Sequence, residues 1–321
     1  MVLAVRARDL WIGYTDEEDR TLWAVRGVSL GVEENTIYCI VGESGCGKST
    51  LGNAIVGVLP PYAETRGVLE IYGRRVIDGE TTSYAETRGR LVTLIPQNPG
   101  KALSPYLTID DQFYYVLHSL YGWGRDKALS RARELLRIVG LDPEKVFDYY
   151  PHELSGGMQQ RAAIALALAT NARIVVADEP TSALDANLRL KLLKLLKDLR
   201  SRLGLTIIMI THDLLSASRL CDRIAVMYAG KIVEEAPTKK IIAEPLHPYT
   251  KMLIEAVPVL GTRKKLVSYL GEPPSPGEVI GGCPFHRRCP YVMDKCRERE
   301  PPQTTIGDHV VSCWKYVEGE T

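Results

Sequence analysis

The chain has no apolar run near the roughly eighteen residues that a membrane-spanning helix needs, so no segment of it reads as a helical membrane span. The start, Met1-Val2-Leu3-Ala4-Val5-Arg6, lacks the charged, apolar and small-residue zones of a signal peptide, and the expectation is that no export leader is present. An excess of one charge is also missing. Forty Lys and Arg against 39 Asp and Glu leave a formal net charge of +1, without the basic balance of a chain whose main partner is nucleic acid. Among seven cysteines there is no C-x₂-C pair, the spacing most often seen at zinc. What is present, 321 residues at 45% hydrophobic and 25% charged, suffices for one large α/β domain and a small appendage.

Three short apolar runs each end in polar residues. Ile37-Tyr38-Cys39-Ile40-Val41 has the bulk of a strand buried on both faces and runs into Gly42-Glu43-Ser44-Gly45-Cys46-Gly47-Lys48-Ser49, which fits G-x-x-x-x-G-K-[ST]. Glycines let successive backbone N–H groups turn inward toward phosphate oxygens, and a helix starting near Lys48 adds the positive end of its dipole. Lys48 then reaches the outer phosphates and Ser49 offers its hydroxyl to Mg²⁺; Glu43 and Cys46 fill variable positions of the loop. Arg173-Ile174-Val175-Val176-Ala177 ends in Asp178-Glu179-Pro180. At the carboxyl end of a strand in a nucleotide-binding sheet, Asp178 is placed to hold magnesium and Glu179 to polarise a water. Capping of the next helix is the plainer reading of that pair. Leu205-Thr206-Ile207-Ile208-Met209-Ile210 leads to Thr211-His212-Asp213. The imidazole of His212 could bridge a γ-phosphate and a catalytic carboxylate, or orient the water.

Between the first two runs stands Leu154-Ser155-Gly156-Gly157-Met158-Gln159-Gln160, a small, glycine-rich helix start that can offer N–H donors and a hydroxyl to an anion. In this order the motifs resemble the nucleotide-binding subunit of ATP-binding-cassette transporters. The resemblance makes Gly42 to Thr50 (Gly42, Ser44, Gly45, Cys46, Gly47, Lys48, Ser49, Thr50) the ATP-binding Walker A loop and Gln97 the Q-loop residue. It makes Ser155, Gly156 and Gly157 the signature, Asp178 and Glu179 the end of Walker B, Ser182-Ala183-Leu184-Asp185 the D-loop and His212 the switch histidine. Tyr14 falls where the adenine-stacking aromatic lies. It further implies Mg²⁺ held by Ser49, Gln97 and Asp178, catalysis by Glu179 and His212, and a head-to-tail dimer in which the signature of one subunit meets the γ-phosphate on the other. The departures, Pro96 where phenylalanine is common and Ala102-Leu103-Ser104-Pro105 without an asparagine, lie away from the hydrolytic residues.

The organisation expected is a nucleotide-binding domain over 1–240, with a helical subdomain at about 101–170, and a C-terminal extension over 241–321. Trp123 to Gly140 reads as a helix with Leu135, Leu136 and Val139 as its apolar stripe and Gly140 as its stop. Residues 186–203 read as an amphipathic helix with a solvated lysine face.

Four cysteines, Cys283, Cys289, Cys296 and Cys313, cluster in the tail, whereas Cys39, Cys46 and Cys221 read as small buried residues of the core. In a reduced compartment the four point to a metal site, and thiolates alone suit either zinc or an iron–sulfur cluster. Pro245-Leu246-His247-Pro248-Tyr249-Thr250, Leu270-Gly271-Glu272-Pro273-Pro274-Ser275-Pro276 and Gly282-Cys283-Pro284-Phe285-His286-Arg287-Arg288-Cys289-Pro290 resemble the C-terminal extension of oligopeptide and dipeptide importer ATPases. That resemblance implies a [4Fe–4S] cluster on the four cysteines, with Zn²⁺ as the alternative. It implies an ATPase at the cytoplasmic face of the membrane, peripheral to two transmembrane permease subunits, paired with a second ATPase subunit of the same or a different chain. An extracellular substrate-binding protein would act through the permease. Di- or oligopeptide is the expected cargo, with oligosaccharide or nickel as alternatives. A nucleic-acid or ribosome-handling ATPase is the more distant reading, opposed by the single cassette and the absence of a coiled-coil insertion or basic tract.

Overall fold

The computed structural model describes residues 2–98, 102–182, 184–256, 271–275, 277–278 and 280–317. An eight-stranded sheet runs from β12 (Gln303–Ile306) and β13 (His309–Ser312) through β11 (Lys231–Pro237), β10 (Arg223–Tyr228), β3 (Ile37–Val41), β9 (Thr206–Thr211) and β8 (Ile174–Asp178) to β7 (Val92–Ile95), with β10, β3, β9, β8 and β7 parallel. β11 (Lys231–Pro237) then pairs antiparallel with β10. A second, antiparallel sheet comprises β2 (Thr21–Glu33), β1 (Leu3–Thr15), β4 (Ala63–Ile71), β5 (Arg74–Asp78) and β6 (Thr81–Thr82).

The apolar runs are strands covered on both faces, and the alternation of side chains sorts them into two cores. Ile37, Cys39, Val41, Val175, Ala177, Ile207 and Met209 face the helices on one side. Tyr38, Ile40, Ile174, Val176, Ile208 and Ile210 face the other, where helix α1 (Lys48–Val56) packs with the antiparallel sheet. Because β3, β8 and β9 are parallel and in register, Val41 opposite Thr211 and Asp178 opposite Ile210, their carboxyl ends share one edge.

The helical insertion contains the helix expected between Trp123 and Gly140 together with others. Arg125–Ile138 (α3) is there, with Leu135 and Leu136 buried, Val139 as its cap and Gly140 at φ 76°. A further helix, α2 (Ile109–Tyr121), precedes it, and a single turn, α4 (Pro143–Val146), follows. The segment from Gly156 to Ala169 forms α5, whose Gln160 amide hydrogen-bonds the Pro180 carbonyl. Helix α6 (Ala186–Leu203) has the expected bounds, buries Leu192, Leu193, Leu196 and Leu199, and exposes Lys191, Lys194 and Lys197.

Beyond α7 (Leu214–Leu220) and α8 (Thr238–Ala243), helix α9 (Pro248–Glu255) opens the C-terminal part. This part contains α10 (Asp294–Glu298) and a hairpin of β12 (Gln303–Ile306) and β13 (His309–Ser312). The hairpin joins the main sheet, Val310 opposite Glu235 and Val311 opposite Glu234. Phe285, Cys283, Cys296 and Trp314 pack into the main core, so the poorly apolar tail folds against a surface already built. Among the described residues no helix is long and apolar enough to cross a membrane.

Candidate functional site

Strand β3 delivers the glycine-rich loop to the shared edge. Two of its glycines are required by space: a Cβ on Gly42 would stand 2.1 Å from the Met227 carbonyl oxygen, and one on Gly47, at φ 101°, 2.1 Å from that of Ala24. The Lys48 ammonium is buried and donates to the carbonyls of Gly42 and Glu43, each at 2.8 Å. Loop carbonyls thus hold its charge where a phosphate could take their place. The Ser49 hydroxyl donates to Asp178 Oδ1 at 3.2 Å, and the Tyr14 hydroxyl to Thr50 Oγ1 at 3.3 Å.

A cavity of about 440 Å³ opens here, lined by Tyr14, Leu22, Ala24, Ser44, Gly45, Gly47, Lys48, Ser49, Thr50, Gln97, Glu179 and Gly277. Of the loop residues expected at an ATP site, Gly42 and Cys46 do not line this cavity, and Cys46 borders the adjoining hollow with Pro273 and Pro274. Cys46 is buried, its thiol pushed up by that burial, with Sγ 3.8 Å from Lys48 Nζ.

On the acidic side, burial raises the Asp178 carboxyl above its ordinary range, and the neighbouring Glu179 charge adds to it against the opposing Ser49 hydrogen bond. Glu179 sits at φ 44°, a left-handed backbone uncommon for a residue with a Cβ. Its N–H donates to the Ile210 carbonyl, and its own carbonyl accepts from Ser182 Oγ at 3.1 Å. This directs the carboxylate toward His212, whose Nδ1 lies 3.1 Å from Glu179 Oε1. Glu179 also lines the next hollow, of about 390 Å³, with Ser182, His212 and Asp213. One carboxylate therefore joins the phosphate loop to the histidine.

Ser155, Gly156, Gly157 and Asp185 line neither space. Ser155 and Asp185 cap helices: Ser155 Oγ accepts from Met158 N, and Asp185 Oδ1 from the N–H groups of Asn187 and Leu188 at 2.9 Å. Ser155 and Gly156 are exposed, and Gly157 borders a small hollow with Leu184 and Leu188. Ala183 of the D-loop lies outside the described residues.

Sequence reasoning passed over Glu43, which is a junction. Its N–H donates to the Tyr249 hydroxyl at 2.9 Å, and its carboxylate is held by both terminal nitrogens of Arg288, at 2.7 and 3.0 Å. Nothing in the local pattern around residue 43 signals partners more than 200 positions away.

Cys39 and Cys221, read as small buried residues, are both buried and stand side by side where β3 meets the end of α7, Cα atoms 5.9 Å apart. The four tail cysteines are free, Cys283 and Cys296 buried and Cys289 and Cys313 half-buried. Burial foremost, with charge on Cys296, Cys313 and Cys289 adding to it, pushes the Cys283 thiol up to about 12. Cys289 and Cys313 are raised for the same reasons, so all six pairs are close enough to interact. Among the described residues no group of three or more His, Cys, Asp or Glu is arranged to hold a metal ion.

Residues 25–182 match the ABC transporter family, and residues 233–296 match the oligopeptide/dipeptide transporter C-terminal region. The chain is 40% identical to the probable peptide ABC transporter ATP-binding protein y4tR of Sinorhizobium fredii, over 98% of this chain and 95% of that one. It is 40% identical to the dipeptide transport ATP-binding protein DppD of Bacillus subtilis, over 92% of this chain and 89% of the relative. Its fold is similar to an ATP-binding cassette solved as a dimer in a post-hydrolysis state with ADP and Pi. There the TM-score is 0.64 and the identity 31%, over 73% of this chain and 98% of that one.

Proposed function

Because this chain belongs to the ABC transporter ATP-binding subunits, we propose that it is the ATP-hydrolysing subunit of a peptide importer, working at the cytoplasmic face of two permease subunits. The observation that carries this reading is the single cavity in which Lys48, Ser49, Gln97 and Glu179 meet. Tyr14 would stack on the adenine. N–H groups from Ser44 to Thr50 would cradle the phosphates, and Lys48 would exchange the carbonyls of Gly42 and Glu43 for phosphate oxygens.

Ser49, Asp178 and Gln97 would hold Mg²⁺, and their hydroxyl, carboxylate and amide oxygens are the hard donors it prefers. When bound, the ion supplies positive charge against the phosphates. Glu179 takes the proton of the attacking water, and His212 orients the Glu179 carboxylate through the 3.1 Å contact. The exposed Ser155 and Gly156 and the half-buried Gly157, with Asp185, complete the site of a second ATPase subunit, identical or different.

In the tail we assign Cys283, Cys289, Cys296 and Cys313 to a [4Fe–4S] cluster. The support is chemical: the four thiols are free, charge on each of the other three bears on Cys283, and thiolates alone suit an iron–sulfur cluster. The cluster would supply a staple for a segment with little apolar content of its own.

The reading of cargo is tested with the transporter reconstituted in vesicles, with its extracellular binding protein loaded with peptides or with oligosaccharides. ATP hydrolysis should rise with peptide. A rise with sugar alone would assign the subunit to a sugar importer, and no hydrolysis under any loading would overturn the enzyme assignment.

A further inference from the structure

The C-terminal segment touches the phosphate loop through two side chains and one loop residue. Glu43 is the second residue of the loop, and all its polar groups are engaged. Its carbonyl accepts from Lys48, its N–H donates to Tyr249 of α9, and its carboxylate is gripped by Arg288, which precedes Cys289. Arg288 is only 7% exposed, although Glu43 is 27% exposed. The guanidinium lies against Phe285 and Tyr228, 5.9 Å from each ring centre, and these rings pack with the fully buried Tyr249 at 4.6 to 5.4 Å. The planar fork and the aromatic wall leave the carboxylate one orientation. The same segment also sets Pro273, Pro274 and Gly277 beside the loop.

We propose that Arg288 and Tyr249 are positioning residues of the nucleotide site: from the C-terminal segment they clamp Glu43, and so preset the phosphate loop for ATP. The consequence is selective. Neither side chain reaches the acidic edge where Asp178, Glu179 and His212 stand, so the clamp acts on binding and leaves the hydrolytic step alone. An unclamped loop must pay its ordering entropy each time nucleotide binds, which weakens affinity without slowing turnover once ATP is saturating. Because Glu43 links both contacts, the clamp is a unit, and breaking it at either end releases the same constraint.

The inference rests on the ATP-binding reading, and the experiment separates the two. The full chain is titrated with mant-ATP and Mg²⁺, and phosphate release is followed against ATP concentration. Glu43→Gln and Arg288→Gln should each raise Kd and KM roughly tenfold, the scale of one charge-assisted pair, with kcat within about twofold of the unaltered chain. The double variant should be no worse than about twofold beyond either single, and Arg288→Lys should recover part of the affinity. Tyr249→Phe, which removes only a hydroxyl from a buried ring, should raise Kd several-fold by the same route. Unchanged affinity in both single variants overturns the clamp, as does a double variant near the product of the two, or a loss of kcat at constant KM. If the unaltered chain binds no mant-ATP, both readings fall; if it binds and Arg288→Gln binds equally, only the clamp falls.

Discussion

Glu234 is wholly buried on β11, and replacing it should loosen the C-terminal part from the ATPase core. Its oxygens accept from the backbone N–H groups of Leu246 at 2.8 Å and His247 at 2.9 Å, and from His309 Nδ1 at 3.0 Å. The first two donors lead into α9, and the third is on β13. Glu234→Gln keeps the shape but leaves one acceptor oxygen and turns an NH₂ toward a donor that now has no partner. Each charge-assisted bond lost or donor orphaned costs about 1.5–3 kcal/mol, and removing one partner of a buried polar pair costs about 3–5 kcal/mol. The expected loss is therefore about 3–5 kcal/mol. At about 2 °C per kcal/mol for a chain of this size, the melting midpoint should fall by roughly 5–10 °C. Calorimetry supplies the midpoint, and hydrogen exchange at Leu246 and His247 shows whether the loss is local. His309→Gln, which can still donate one hydrogen bond, should cost only about 1 kcal/mol. A Glu234→Gln midpoint within a degree or two of the unaltered chain, with both amides still protected, would refute the anchoring role.

Glu179→Gln should bind ATP with Mg²⁺ as tightly as the unaltered chain and hold it unhydrolysed; rapid phosphate release by this variant rules out Glu179 as the base. Burial lowers His247 to about 3 from 6.5. Below pH 6.5 the unfolded chain takes up a proton that the folded one refuses, so this stabilisation is complete above that pH. It is lost by about 1.4 kcal/mol per unit as the pH falls toward 3. His247→Asn, which keeps an acceptor for the Tyr249 N–H, should close the stability gap to the unaltered chain by about 2 kcal/mol between pH 7 and 5, and parallel unfolding profiles would count against it. The raised thiols of the tail must lose protons to bind metal, so iron loading should strengthen as pH rises. Anaerobic purification with iron, sulfide and zinc analysis decides the metal, and stoichiometric zinc without iron excludes the cluster.

What was legible in the sequence follows from range. The parallel strands announce themselves because burial on both faces demands unbroken runs such as Ile37–Val41, and their polar ends then mark one edge. Helix α6 carries its stripe within its own residues and its caps, Asp185 and Gly204, directly beside them, and its bounds are as expected. Helix α2 was equally readable, since Ile109, Phe113 and Leu117 recur at four-residue spacing and all are buried, but the neighbouring tyrosines blur that stripe. Contacts between distant segments leave no local trace. Cys39 and Cys221 are 182 residues apart and Glu43 and Arg288 are 245 apart, and in each case one partner resembles an ordinary filler of its motif. Ser155 and Asp185 show a different limit: their capping bonds are visible in one chain, whereas the role drawn from family resemblance needs a second.

The pairing of β13 with β11 bears on how the gene can be edited. Without the hairpin, β11 would become the outer strand of the sheet, its backbone donors and acceptors open along Glu234 and Glu235. Such a margin is a template for any other extended chain. A truncation near residue 240 that spares every nucleotide-binding motif would still yield a sticky, aggregation-prone ATPase.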